Sequence, residues 1–202
     1  MHSVTALPDR YREIFSVDLQ KDKKKAILVN SLGVLIMLAM GIPMSFFVPF
    51  STLFSMDEGL LAYFIRWGVL MVALVGYVVL HELTHALIMR IFGAVKVRFG
   101  FTGLYAFAGS EQDYFAKGAY ILIALAPLVL LGVVILIVNF FVPTSWFWVV
   151  YMIQIMNVSG ASGDLYVAVK FLGMPKDILV KDTGVSMTVY SRYQETAKEE
   201  EK

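Results

Sequence analysis

The chain of 202 residues has the length of one domain, but 58% of its residues are hydrophobic, only 16% are charged, and its mean hydropathy is +0.71. This composition is typical of an integral membrane protein rather than a soluble domain. The formal net charge of +1 argues against nucleic-acid binding, and the absence of cysteine excludes disulfide bonds and thiolate metal ligands. Any metal ligand must therefore be histidine, aspartate or glutamate.

The N-terminal lead, residues 1–25, is polar and ends in the basic run KDKKK at 21–25. Basic residues beside a membrane span are typical of the cytoplasmic side, so we expect this lead to be cytoplasmic. It lacks the apolar core and small-residue cleavage site of a signal peptide, which predicts that the protein stays in the membrane uncleaved. His2 lies alone near the terminus and is not expected to bind a metal.

Two apolar segments follow, at residues 26–50 and 60–92. Each is long enough to cross a hydrocarbon core of about 30 Å. Arg66 interrupts the start of the second segment, so we place its span proper from Trp67, a residue type typical of the membrane interface. His81 then lies about 21 Å further along a helix, inside the hydrocarbon and nearer its cytoplasmic edge.

The second span contains a polar cluster, because its sequence VVLHELTHALIMRIF at 78–92 places two histidines and a glutamate in an apolar run. On a helix, His81 and His85 are one turn apart on the same face, where both can reach one Zn²⁺ ion at about 2.0–2.1 Å. Glu82 would lie beside the metal and could accept a proton from a water molecule. This is the HExxH pattern of metallopeptidases.

The alternative is a coincidental match, in which the histidines only hydrogen bond to neighbouring backbone. Two of the three histidines in the chain fall in the motif, and such groups cost several kcal/mol when they are left unpaired in hydrocarbon. We therefore predict a metal site here.

Residues 93–116 break the helical pattern. Polarity alternates from Val95 to Phe99, and Gly100 and Gly103 follow, which predicts a short strand or hairpin. Two interpretations stay open: an ordinary cytoplasmic hairpin, or a strand edge that pairs with an extended substrate peptide beside the metal.

Two further spans are predicted at residues 119–141 and 146–169. Pro127 in the third span is assigned no catalytic role, because prolines in membrane helices usually serve packing or kinking. The fourth span carries a second polar cluster, NVSGASGD, at 157–164. Residues 171–202 are predicted to form a small cytoplasmic segment with a strand-like stretch, VSMTVY, at 185–190 and a charged, disordered end.

The third metal ligand is predicted by elimination and by depth. A catalytic zinc ion usually takes three protein ligands, and only Glu82 and Asp164 are acidic within the predicted spans. Asp164 and His85 each lie about two turns before a basic residue at the cytoplasmic flank. Two helices that run in the same direction would bring them to one depth, so we predict Asp164 as the third ligand.

Several alternatives stay open for the polar residues around this site. Asp164 could instead pair with Arg66, and Glu111 or Asp113 could supply the third ligand. Asn157 precedes Asp164 by two helical turns and shares its face, so it could contact the substrate or a developing oxyanion. An interhelical hydrogen bond is the other interpretation of Asn157.

At HELTH in the second span and SGASGD in the fourth, the sequence resembles the membrane-embedded zinc metallopeptidases. It is most similar to a bacterial family of small zincin peptidases with four spans, over most of the chain, and more distantly to the site-2 proteases. The resemblance implies zinc ligands at His81, His85 and Asp164. It implies a general base at Glu82.

The chain departs from the site-2 proteases around the second cluster. Gly160 and Gly163 stand where those enzymes have prolines, and Leu165 follows the aspartate where they have glycine. The resemblance therefore extends to the metal site but does not extend to the substrate choice of site-2 proteases.

Together these observations predict an all-α integral membrane protein with four transmembrane helices and a short β-hairpin-like segment after the HExxH helix. A cytoplasmic lead at 1–25 would precede a membrane metallopeptidase domain at 26–170 and a cytoplasmic segment at 171–202. Both termini would face the cytoplasm of a bacterial plasma membrane.

The predicted function is hydrolysis of a peptide bond in a peptide or membrane-protein substrate, within or next to the bilayer near its cytoplasmic side, with Zn²⁺ as the cofactor. A membrane metal-binding or transport protein that uses the same ligands is the alternative, and such a protein would not need Glu82 as a base. An interaction or scaffold protein would require the motif to be accidental.

Overall fold

The computed structural model describes residues 3–18, 20–103 and 105–192. His2 and the charged C-terminal end lie outside these ranges. In chain order the described elements are β1 (Ser3–Val4), β2 (Tyr11–Asp18), α1 (Lys23–Phe47), a 3-10 helix (Phe50–Phe54), α2 (Leu60–Ile91), β3 (Arg98–Phe101), β4 (Ala106–Ala116), α3 (Lys117–Phe141), α4 (Thr144–Gly160), α5 (Ser162–Leu172), β5 (Leu179–Asp182) and β6 (Ser186–Arg192).

The prediction of an all-α fold is wrong, because the strands form a six-stranded antiparallel sheet. The strand order is β1-β4-β5-β6-β2, and β3 pairs with β4. The N-terminal lead and the C-terminal segment pair directly, from Tyr11 opposite Arg192 to Asp18 opposite Ser186. Strand β6 confirms the strand-like stretch expected at 185–190, but β2 and β6 come from opposite ends of the chain. Their pairing is a tertiary contact that the local pattern does not reveal.

The predicted topology of four transmembrane helices is also wrong. The helices α1, α2 and α3 are long and apolar enough to cross a membrane, which is compatible with membrane association. Residues 146–169 were expected to form one further span, but the helix is interrupted at Ala161 and continues as the separate helix α5. The interruption lies within SGASG, where glycine is an unfavourable helix residue.

The helices pack against one another, and the sheet packs against one end of them. Helix α2 packs against α3 and α4, while α1 packs against α4 and α5. The inner face of the sheet closes a core with the adjacent helix ends, which includes Met89, Phe115 and Val189. A second core, which includes Leu70, lies further back along α2. His81 and His85 therefore lie on α2 between the two cores.

Arg66 is buried in this second region, with only 1% of its surface exposed. Its guanidinium forms an ion pair with Glu58 at 2.9 Å and donates a hydrogen bond to the carbonyl of Ser55. This partner is local, so Arg66 does not pair with Asp164, the alternative that the sequence left open.

Gly109 permits the close approach of β4 to the turn between β5 and β6. A Cβ atom at this position would lie 2.2 Å from the backbone nitrogen of Gly184 and 2.2 Å from the carbonyl carbon of Thr183. Backbone atoms cannot yield as a flexible side chain can, so Gly109→Ala should destabilise the protein by about 1–3 kcal/mol. We expect a lower midpoint of thermal unfolding in detergent, measured by tryptophan fluorescence.

Gly118→Ala is the matched control, because a Cβ atom at Gly118 in α3 meets nothing within 4 Å. Gly118 is the second residue of α3, where alanine is tolerated at least as well as glycine, so this variant should unfold at the same or a higher temperature. Equal midpoints for the two variants would contradict the packing of β4 described above.

Candidate metal centre

Helices α2 and α5 bring two histidines and an aspartate together. The Nε2 atoms of His81 and His85 are 3.1 Å apart, and Asp164 Oδ2 lies 3.5 Å from the first and 3.7 Å from the second. In a tetrahedral zinc site with bonds of about 2.0–2.2 Å, ligand atoms lie about 3.3–3.6 Å apart. The three distances, 3.1–3.7 Å, lie within about 0.2 Å of this range, so small side-chain movements would bring the atoms to three corners of such a site.

Local structure explains how each ligand reaches this point. Helix α2 is continuous through the motif, so His81 and His85 share one face. Asp164 lies in the first turn of α5, immediately after the interruption at Ala161. The positive end of the helix dipole favours a carboxylate there, so the interruption that divides the predicted fourth span also provides a suitable place for Asp164.

The orientation of His85 follows from its hydrogen bond to the backbone of α3. Its Nδ1 atom lies 2.9 Å from the carbonyl oxygen of Ile123. Since a carbonyl oxygen only accepts, Nδ1 carries the proton and the Nε2 lone pair faces the other two groups. Such a second hydrogen bond is the usual support of a metal-binding histidine.

His81 is held in the same orientation by side chains. The hydroxyl of Tyr77 donates to Asn157 Oδ1 at 3.1 Å and lies 2.9 Å from His81 Nδ1. Because the hydroxyl proton is used toward Asn157, His81 Nδ1 is the donor to the tyrosine oxygen. The Nε2 lone pair of His81 therefore also faces the centre of the group.

Asn157 is fully buried, and its amide nitrogen donates to the carbonyl of Leu128 at 3.0 Å. Gly132 makes room for it, because a Cβ atom there would lie 2.7 Å from Asn157 Nδ2. Both ends of the amide thus have protein partners. This geometry favours the interhelical hydrogen bond over the predicted contact with substrate or oxyanion.

The electrostatics of the two histidines and Asp164 favour a bound cation. Two Nε2 lone pairs and a carboxylate oxygen face one another within 4.8 Å, and all three are acceptors in the tautomers described above. Two imidazoles and one carboxylate also form a donor set that catalytic zinc sites use. The side chains present therefore fit a zinc ion with one coordination position left open.

Glu82 lies in the same cavity and is partly buried. Its carboxylate interacts electrostatically with both histidines and lies near the backbone of Ala108 in β4, which lines the same cavity. It is not one of the three grouped ligands. The predicted general base thus lies beside the candidate metal centre, on the side of the sheet.

The two competing carboxylates have other partners. Glu111 forms an exposed ion pair with Arg98 at 2.8 Å. Asp113 is buried, accepts a hydrogen bond from Ser110, and accepts another from the backbone nitrogen of Val95 at 3.0 Å. Neither belongs to the grouped ligands, and Asp113 instead ties β4 to the chain that leaves α2.

The site opens into a cavity of about 560 Å³. The hairpin expected after the motif is formed by β3 and β4 and supplies Phe101, Tyr105 and Phe107 to the cavity wall. Strand β4 is longer than a strand of the short hairpin that was predicted, because it continues into the six-stranded sheet. The hairpin is therefore one wall of the site.

Sequence reasoning missed several residues around the site. Tyr77 could have been found, because it lies four residues before His81 on the same helix face. Asp182, which also lines the cavity, could not, because β5 was not predicted. Its carboxylate accepts hydrogen bonds from Tyr120 and from the backbone of Gly184. Desolvation raises the pKa of the Asp182 carboxyl above its usual value, and these hydrogen bonds oppose the rise.

Comparison with known proteins gives one match. A sequence model of the family described as "putative zincin peptidase" matches residues 74–179, more than half of the chain and every residue of the candidate metal centre. No curated protein and no solved structure matches the chain.

Tyr77→Phe tests the hydrogen bond that orients His81. Loss of a hydrogen-bond partner behind a metal-binding histidine typically weakens metal binding by about 10- to 100-fold, so the zinc dissociation constant should rise by that factor. Competition with a chromophoric chelator in detergent measures it.

Tyr151→Phe is the control for this test, because it removes a hydroxyl that donates to the carbonyl of Met40 at 3.2 Å, away from the candidate metal centre. Its zinc affinity should equal that of the wild type. An unchanged affinity in Tyr77→Phe would contradict the orienting role of Tyr77.

Proposed function

The chain belongs to the family of putative zincin peptidases, and we propose that it is a zinc-dependent metallopeptidase. Its metal would be held by His81, His85 and Asp164. The observation that carries this proposal is the convergence of the three ligand atoms, with both histidines hydrogen bonded through Nδ1 so that their Nε2 lone pairs face inward.

The reaction proposed is hydrolysis of a peptide bond. Zinc, when bound, would supply a Lewis acid that polarises the scissile carbonyl and lowers the pKa of water. Glu82 would accept a proton from the attacking water molecule and transfer it to the nitrogen that leaves as the scissile bond breaks. Tyr77 and the carbonyl of Ile123 would keep the two histidines in one tautomer and one orientation through the reaction.

We place this chemistry in a membrane, at the end of the helices that adjoins the sheet. The three apolar helices support membrane location. The basic end of the lead is continuous with the sheet and with α1, which supports a cytoplasmic orientation of this end under the positive-inside rule. The substrate would be a peptide or a membrane-protein segment cleaved close to the cytoplasmic surface of a bacterial plasma membrane.

The hairpin would provide the surface on which an extended substrate lies. Ala106, Phe107 and Ala108 of β4 line the cavity, and the backbone of Ala108 interacts with Glu82. Extended peptides bind readily to exposed strand backbone. This location beside the proposed base supports the second of the two interpretations that the sequence left open for the hairpin.

Glu82→Gln separates the peptidase from a metal transporter that uses the same ligands. Glutamine cannot accept the proton, so hydrolysis of a quenched fluorescent peptide library in detergent should fall by about 10²- to 10⁴-fold. Zinc content, measured by mass spectrometry of the purified protein, should stay unchanged, because Glu82 is not a ligand.

Glu111→Gln is the control, since it changes an exposed carboxylate of the hairpin that pairs with Arg98. It should retain both zinc and hydrolysis. Full hydrolysis by Glu82→Gln would contradict the proposed role of Glu82. Intact zinc uptake into vesicles by that variant would favour the transporter.

A further inference from the structure

The hydrogen bond from His85 to α3 uses a backbone carbonyl in the middle of a helix. In an α-helix, the carbonyl of residue 123 normally accepts a hydrogen bond from the backbone N–H of residue 127. Ile123 and Ala124 are both buried in α3, so the carbonyl has no access to bulk water. A carbonyl oxygen has two lone pairs, but a side-chain donor forms the stronger, better-aligned hydrogen bond where no helical N–H shares the oxygen.

Residue 127 is a proline, and it is buried within α3. Proline has no backbone N–H, and its ring also displaces the carbonyl four residues before it. That carbonyl belongs to Ile123, the residue whose oxygen lies 2.9 Å from His85 Nδ1. The carbonyl of Ile123 therefore lacks its usual helical donor, the N–H of residue 127, and accepts from Nδ1 of His85 instead.

We propose that Pro127 is a positioning residue for the metal centre: by removing one N–H from α3, it leaves the carbonyl of Ile123 free to hold His85 in its metal-binding tautomer. The inference rests on the proposed metal site. A proline in a helix interior is normally unfavourable. Here it leaves the buried Nδ1–H group of His85 with a carbonyl acceptor for which no backbone N–H competes.

Three proteins test this role: Pro127→Ala, a variant in which lactic acid replaces residue 127 by nonsense suppression, and Pro43→Ala. Alanine restores the N–H that competes with His85. Lactic acid has the same side chain as alanine but an ester oxygen in place of N–H, so it restores the free carbonyl without the ring. Pro43 is the proline inside α1, which contributes none of the grouped ligands.

The measurements are the zinc dissociation constant and the thermal unfolding midpoint of the zinc-free protein. Pro127→Ala should bind zinc about tenfold more weakly, while its zinc-free form unfolds at no lower temperature, because the hydrogen bond that the helix gains offsets the one that His85 loses. The lactic acid variant should bind zinc as the wild type does. Pro43→Ala should raise the unfolding midpoint but leave zinc affinity unchanged.

If Pro127 had a purely structural role, its replacement would change stability and zinc affinity in the same direction. The alanine and lactic acid variants would then have equal zinc affinities. Wild-type affinity in Pro127→Ala, or equal weakening in the alanine and lactic acid variants, would overturn the proposal. Failure of the wild-type protein itself to bind zinc would instead refute the proposed function on which the inference rests.

Discussion

Two imidazole nitrogens and a carboxylate face one another inside an apolar protein, and the surrounding helices supply the hydrogen bonds that keep them so. Each histidine must present its Nε2 lone pair, so each Nδ1–H group needs a buried acceptor. Ile123 provides one through its backbone and Tyr77 provides the other through its hydroxyl. Helix α3 serves both, since the carbonyl of Leu128 also holds the asparagine behind Tyr77.

The sheet completes the site from the other side. It places β4 against Glu82 and closes the core at the end of α2. The buried carboxylate of Asp113 fixes β4 to the segment that follows α2, so the hairpin and the histidine-bearing helix keep a constant relation. The mixed fold thus sets the helix that carries both histidines beside a strand that lines the same cavity.

The sequence predicted that His81, His85 and Asp164 lie close together, as they do in the structure, whereas its prediction of the fold was wrong. The spacing of His81 and His85 depends only on helix geometry, and Asp164 was accessible because so few carboxylates lie in the apolar segments. The strand-like character of β6 was visible, but its pairing with β2 was not, because that pairing joins segments from the two ends of the chain. The role of the Ile123 carbonyl could not be predicted for another reason. A backbone acceptor does not depend on the side chain of its own residue, so the only sequence signal is the proline four positions later.

The metal content of detergent-purified protein, compared among the wild type, His81→Ala, Asp164→Ala and Glu111→Ala, tests the three-ligand zinc site. We expect about one zinc ion per chain in the wild type and in Glu111→Ala, and loss of zinc in the other two variants. Zinc retained by Asp164→Ala would contradict the three-ligand site. A wild-type protein that binds no zinc after metal supply would contradict the proposed function as a zinc metallopeptidase.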